Sequence, residues 1–224
     1  MARFKDRERS LELRKQGMSY SQIKRIIGVN KSTLSGWLKD YPLSKERIKE
    51  LRDWNEQRIE RCRETKRVKK EARLNGFYKE QKETIFPLDK KELYLAGLFL
   101  YWGEGSKNSE AKLSVSNTDP SVIKFFIYWL TKYLKVPRSK LKVYLQLYAD
   151  MDIENEKSFW SITLNIPLNQ FSKPYIKNTP STRINHKGGF GHGTCNLGIG
   201  DARLSEKILM AIKSISDKYA NMRL

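Results

Sequence analysis

Apolar positions along the chain change their period and their density at residue 86. Before it, they come in three short helical clusters. The first helix spans 7–16, with Leu11 and Leu13 apolar and Gly17 at its end. Ser19 caps a second, in which Ile23, Ile26 and Ile27 follow helical spacing and Gly28 closes the element. Asn30 caps a third over 31–39, with Leu34, Trp37 and Leu38 facing inward. Residues 44–83 then have few apolar positions, chiefly Ile48, Leu51, Ile59 and Val68, while acidic and basic residues recur three and four apart. That spacing predicts a helix with little to bury, either a solvated connector or an arm along a DNA backbone.

From Phe86 the apolar and aromatic density rises and helix and strand periods alternate. The pattern predicts helix 89–104, strand 111–117, helix 119–135, strand 139–149 and helix 154–165. An irregular Gly-rich region 177–193, strand 194–200 and helix 201–220 follow. Asp119 before Pro120 and Asp201 mark two helix starts. Strand 139–149 alternates cleanly. Leu141, Val143, Leu145 and Leu147 take one face, and Lys140, Lys142, Tyr144, Gln146 and Tyr148 take the other. Strands 111–117 and 194–200 likewise pair an apolar face with a small or polar one. The expectation is an α+β fold: an antiparallel sheet, helices on one side, an open polar face on the other. Three segments result: a helix-turn-helix domain 1–43, a basic helical linker 44–85 and a third domain 86–224.

Charge narrows the partners. Lys and Arg total 44 against 25 Asp and Glu, a net charge of +19. Such a surplus suits a polyanion, whose condensed counterions are released when phosphates are neutralised. Ser44–Lys82 alone holds 14 basic and 8 acidic residues. The two cysteines, Cys62 and Cys195, form no CxxC, which excludes a disulfide scaffold or a Cys-based zinc site and suits a reducing, cytoplasmic compartment. His186 and His192 read as loop histidines near phosphate rather than zinc ligands. The longest apolar run, Leu93–Trp102, is about half a membrane span, and the N-terminal MARFKDRERS has no apolar leader core, so no membrane association is expected.

Candidate chemistry centres on Glu104, the one carboxylate at the C-terminal end of the apolar helix 89–104. A carboxylate there opposes the helix dipole, which argues for a compensating cation; a purely structural helix-end carboxylate is the alternative. Asp150, Asp152 and Glu154 read as a solvated loop and helix start. On the alternating strand, Lys can serve phosphates or guanine edges and Gln can pair with adenine.

The stretch SYSQIKRIIGVNKSTLSGWLK resembles the helix-turn-helix of resolvase, transposase and homeodomain-like proteins. The resemblance implies that the helix after Asn30 enters a major groove, presenting Lys31, Ser32, Thr33, Ser35 and Lys39. A small protein-binding three-helix unit is the alternative. Farther on, YWGEGS, LSVSNTDP and VIKFFIYWLTKYLKV, followed by FSKPYIKNTP and GTCNLGIGDARLSEKI, are similar to a LAGLIDADG homing endonuclease domain over roughly residues 86–220. That resemblance implies an αββαββα unit whose sheet saddles DNA, with Lys140, Lys142, Tyr144 and Gln146 as contacts. It also implies one acidic residue per chain, Glu104, binding Mg²⁺ as metal ligand and catalytic residue. A homodimer would then form on double-stranded DNA. Two positions depart from the family pattern: Phe99 stands where it prefers a small residue, and Trp102 where an acidic or neutral one is common. The implied activity is a Mg²⁺-dependent endonuclease. A nuclease-inactive DNA-binding regulator is the second expectation, and an RNA-maturation factor, kept open by Tyr144 and Tyr148, the third.

Overall fold

The computed structural model describes residues 4–107, 111–179 and 191–220. The fold is α+β, and its contacts group into two units, Met1–Phe86 and Pro87–Leu224. No helix among the described residues is long and apolar enough to cross a membrane.

The first unit contains α1 (Phe4–Lys15), α2 (Tyr20–Ile27), α3 (Lys31–Trp37), α4 (Lys45–Glu50) and α5 (Trp54–Ile85). Ser19 and Gln22 form a reciprocal capping box at the start of α2: the Ser19 hydroxyl accepts from the Gln22 amide at 3.1 Å, and the Gln22 side chain accepts from the Ser19 amide at 2.9 Å. Gly28 ends α2 in the left-handed region, φ 75°. Asn30 stands at the cap position of α3, but its side chain makes no capping bond there. Tyr20, Ile23, Val29, Leu34 and Leu38 form a small buried core, with Trp37 packed against it.

The linker expectation for 44–85 needs correction. Two helices occupy it rather than one, α5 beginning after an Asp53 cap. Glu56 and Glu60 of α5 are 3% exposed, with partners on α1 and on α2 and its cap. Arg14 forks onto Glu60 with bonds of 3.0 and 2.8 Å, and two further N–H groups of its guanidinium reach the carbonyls of Tyr41 and Met18. The Tyr20 amide donates to Glu60 at 2.9 Å, and Ser19 donates to Glu56 at 2.8 Å, with Arg25 paired to the same carboxylate. A helix of low apolar content can therefore bury its first turns at Glu56 and Glu60, because these carboxylates are neutralised and hydrogen-bonded as they leave water. The sparse apolar pattern concealed this, since the partners lie 31 to 46 residues away.

The second unit contains α6 (Lys90–Glu104), β1 (Lys112–Asn117), α7 (Pro120–Tyr128), β2 (Lys142–Tyr148), α8 (Ile153–Leu164), β3 (Tyr175–Lys177), β4 (Thr194–Gly200) and α9 (Ala202–Ala220). The order is not αββαββα, because α7 separates the first two strands. Nor is the sheet wholly antiparallel. Its order is β1-β4-β2-β3, antiparallel for the first two pairings and parallel for β2 with β3. The parallel edge follows from the α8 crossover between β2 and β3, a connection that returns the chain in the same direction. The expected helix 119–135 is α7 followed by a π-helical turn, Trp129–Tyr133, where Trp129 and Leu130 are both buried.

The alternation read from sequence sets the two faces of the sheet. Leu113, Val115, Val143, Leu145, Leu147, Cys195, Leu197 and Ile199 enter one core with Leu98 and Tyr101 of α6, Phe126 of α7, Trp160 of α8 and Ile208 of α9. Gly97 of α6 lies flat against the Trp129 indole; a β-carbon at Gly97 would stand 2.2 Å from that ring. The indole N–H of Trp129 is buried without a hydrogen-bond partner among the described residues.

Candidate nucleic-acid interface

In the first unit, the capping box and Gly28 fix the turn that presents α3. Ser32, Thr33 and Lys39 are exposed, Lys31 and Ser35 half-buried, so the five expected contacts lie away from the core formed by Leu34 and Leu38. The Arg63 guanidinium of α5 stacks on Tyr20 at 4.0 Å and donates to the Lys31 carbonyl at 3.2 Å, holding the first turn of α3 against α5. Burial raises the Tyr20 phenol above its ordinary range, although Arg14 and Arg63 beside the ring work in the opposite direction.

In the second unit, the polar sheet face is laid out by register. Tyr144 of β2 stands opposite Asn196 of β4, which stands opposite Ser116 of β1. The Asn196 side chain donates to the Ser116 hydroxyl at 2.6 Å. In the next row Gln146 faces Thr194 on one side and Tyr175 of β3 on the other. Lys142 and Tyr144 are exposed, Gln146 half-buried. Lys140 is not part of the strand. It ends a 3₁₀ turn, Arg138–Lys140, that precedes β2 after Pro137, and Gln170 clamps the turn by donating to the Arg138 and Leu141 carbonyls. Alternation alone could not separate a strand residue from a turn residue two positions earlier.

Sequence reasoning missed Tyr175 and Lys177, which β3 adds to the sheet edge; the Lys177 ammonium lies 5.0 Å from the Tyr148 ring. Three residues are too short a run for alternation to register.

Glu104 is the last residue of α6 and exposed. Its carboxylate accepts from the Asn117 side chain at 3.2 Å, and the other end of that amide accepts from the Asp119 backbone N–H at 2.8 Å. The turn around it is tightly built. The Gly105 amide donates to the Tyr101 carbonyl at 2.8 Å, Ser106 donates to Ser114 at 2.9 Å, and the buried Tyr101 hydroxyl donates to the Ser106 carbonyl at 2.5 Å. A β-carbon at Gly105 would stand 2.4 Å from Tyr101. The string YWGEGS is thus a fixed turn: Tyr101 anchors it from inside, Gly105 lets the backbone close over the ring, and Glu104 is left outside. Burial pushes the Tyr101 phenol up.

On the same helix, Leu95 and Ala96 are half-buried, Phe99 is 51% exposed and Gly103 is exposed. The Phe99 ring stacks at 5.9 Å on Trp102, which is half-buried and packs against the core, so Phe99 is the outward ring of the helix end that carries Glu104.

The other candidates have local duties. Asp152 caps α8 by accepting from the Glu154 and Asn155 amides, and Glu154 pairs with Lys157 at 3.0 Å. His192 is fastened to α8: its Nδ1 meets Glu156 at 2.9 Å, its ring stacks on Phe159, and its carbonyl accepts from Trp160 at 2.8 Å. His186, and Lys187 beside it, lie outside the described residues. Among the described residues, no three His, Cys, Asp or Glu side chains converge on a point that would hold a metal ion. Comparisons of the chain with protein-family models, with curated proteins and with solved structures find no match.

Proposed function

We propose that the chain binds double-stranded DNA sequence-specifically, and that its second unit is a LAGLIDADG-like endonuclease domain hydrolysing phosphodiester bonds as a homodimer. The observation that carries this reading is the shared location of two features on α6: an exposed Phe99 ring stacked on the half-buried Trp102, and an exposed carboxylate at the helix end. A second copy packed on Phe99 would cover that exposed ring and bring two Glu104 side chains toward one another. One carboxylate per chain fits Mg²⁺ only as half of a donor set, so Glu104 of each copy would hold the ion. When bound, Mg²⁺ would supply Lewis-acid stabilisation of charge on a phosphate oxygen. The protein's own contribution is to bind and orient. The net charge of +19 draws the duplex in, Lys31, Ser32, Thr33, Ser35 and Lys39 of the first unit meet one stretch of it, and Lys142, Tyr144 and Gln146 offer charge, ring and amide to base edges.

A second reading, a DNA-binding regulator without cleavage, has a specific observation in its favour. Asn117 ties Glu104 into the turn that starts α7, a structural duty sufficient to retain a carboxylate there.

The test is a cleavage selection. Wild type and Glu104→Gln are incubated with a randomised duplex library, with and without Mg²⁺, and both new ends and retained fragments are sequenced. New ends at one motif that need Mg²⁺ and vanish in Glu104→Gln, with binding kept, support the endonuclease. Retention of one motif without new ends in either protein leaves the regulator. Absence of any retained motif sinks both.

A further inference from the structure

Along the middle of α5 the carboxylates are engaged and the lysines between them are not. Glu60 is taken by Arg14 in the core. Arg67 forks between Glu64 at 2.7 Å and Glu71 at 2.6 Å, and its guanidinium holds the Glu64 carboxyl below its usual range. Lys66 and Lys70 are exposed and make no ion pair among the described residues. Arg63, Lys66, Arg67 and Lys70 recur at i, i+3, i+4 and i+7, so they form one stripe on one face of the helix. That stripe does not look out on open solvent alone. It forms one wall of a groove of about 690 Å³ whose other wall includes Ser35 and Lys39, from α3 and its C-terminal end. The two walls are held in place by the Arg14–Glu60 pair and by the Arg63 bond to the Lys31 carbonyl.

We propose that this groove is a phosphate-backbone site, in which a duplex read by α3 lays one strand against Lys66 and Lys70 of α5. The inference rests on the reading above that α3 enters DNA, and extends the footprint of the first unit beyond the major groove. The chemistry is that of backbone recognition. Unpaired ammonium groups on a rigid helix meet phosphate oxygens, release counterions and carry no base information, while α3 alongside supplies it. The neutralised glutamates remove the repulsion that an acidic wall would otherwise impose.

The experiment measures affinity of the full chain for its preferred duplex, and for a scrambled one, across a range of salt. Lys66→Gln/Lys70→Gln is compared with Lys79→Gln/Lys82→Gln, which removes the same charge from exposed positions farther along α5. The groove variant is expected to bind both duplexes about 10- to 100-fold more weakly, with its salt slope reduced by about 2, and to keep its ratio between preferred and scrambled sites. The distal variant should stay close to the parent. Glu71→Gln, which frees Arg67 from one partner, should tighten binding, a shift that mere damage to the fold would not give. Groove and distal variants that fall together would overturn the site while leaving the α3 reading intact. A parent chain with no salt-dependent duplex affinity overturns the α3 reading and this inference with it. Duplex RNA competing better than duplex DNA at matched salt overturns the assignment of the partner.

Discussion

The first unit has a core cluster of five buried apolar side chains that two glutamates and an arginine complete; the second has a large apolar core that, among the described residues, no ion pair enters. The first is consequently held by directional contacts between residues far apart in sequence. The second is held by the close fit of apolar surfaces, down to a glycine lying on an indole. Loss of one partner should therefore hurt the first unit most, and gain of one atom should hurt the second.

The largest effect is expected from Glu60→Ala. It strands the Arg14 guanidinium, 2% exposed, without its carboxylate, at a cost of about 3–5 kcal/mol to the first unit. Hydrogen exchange of α2 amides in the full chain reads this, and Arg14→Met/Glu60→Leu should recover most of the loss. A single variant within about 1 kcal/mol of the parent would mean the pair is incidental to the unit. Next is Gly97→Ala. Its methyl would meet the Trp129 ring at 2.2 Å, and overpacking of this kind costs about 1–3 kcal/mol. Chemical denaturation followed by the exchange of β4 amides measures it; an unchanged midpoint would show that Trp129 moves freely aside.

These two cases also mark what was legible in the sequence. Unit two was readable because alternation and 3.6-residue spacing report burial directly: the inward set on β2 and the caps at Asp119, Asp152 and Asp201 all follow from local pattern. Its parallel edge was not, since three residues of β3 carry no period. In unit one, the caps at Ser19 and Gly28 were legible, but a glutamate pointing into a core has the same letter as one pointing into water. Glu56 and Glu60 looked like a solvated face until their partners 31 and 46 residues away were in view. Glu104 was found as a candidate by its position at a helix end; its bond to Asn117, thirteen residues on, was beyond local pattern.

Alkaline pH gives a finer comparison. Burial raises the Cys195 thiol and the Tyr101 phenol of the second unit, and the Tyr20 phenol of the first, above ordinary values of 9.0 and 10.0. The folded state holds these protons more tightly than the unfolded chain. Their contribution is therefore complete below the ordinary values and declines as pH rises through the folded ones. The second unit should begin to weaken near pH 9, ahead of the first, and Cys195→Ala should delay that onset. Simultaneous onset in melts read by amides from each unit would contradict it. The smallest effect is chemical: exposed Cys62 should react quickly with a thiol reagent, and buried Cys195 only as fast as its unit opens. Mass spectrometry of timed labelling distinguishes the two, and equal rates would place Cys195 nearer solvent than its burial indicates.

The Arg14–Glu60 pair also bears on the order of events during synthesis. A nascent chain that has released only residues 1–43 contains the sequence of α1, α2 and α3 but not the Glu60 carboxylate that pairs with Arg14, so closing its core would bury an unmatched cation. Closure is therefore expected to wait for residue 60 to leave the ribosome, with the first turns of α5 acting on the segment before them as a fastening added last. A cut after residue 43, which looks like a natural boundary, would divide a single folding event in two.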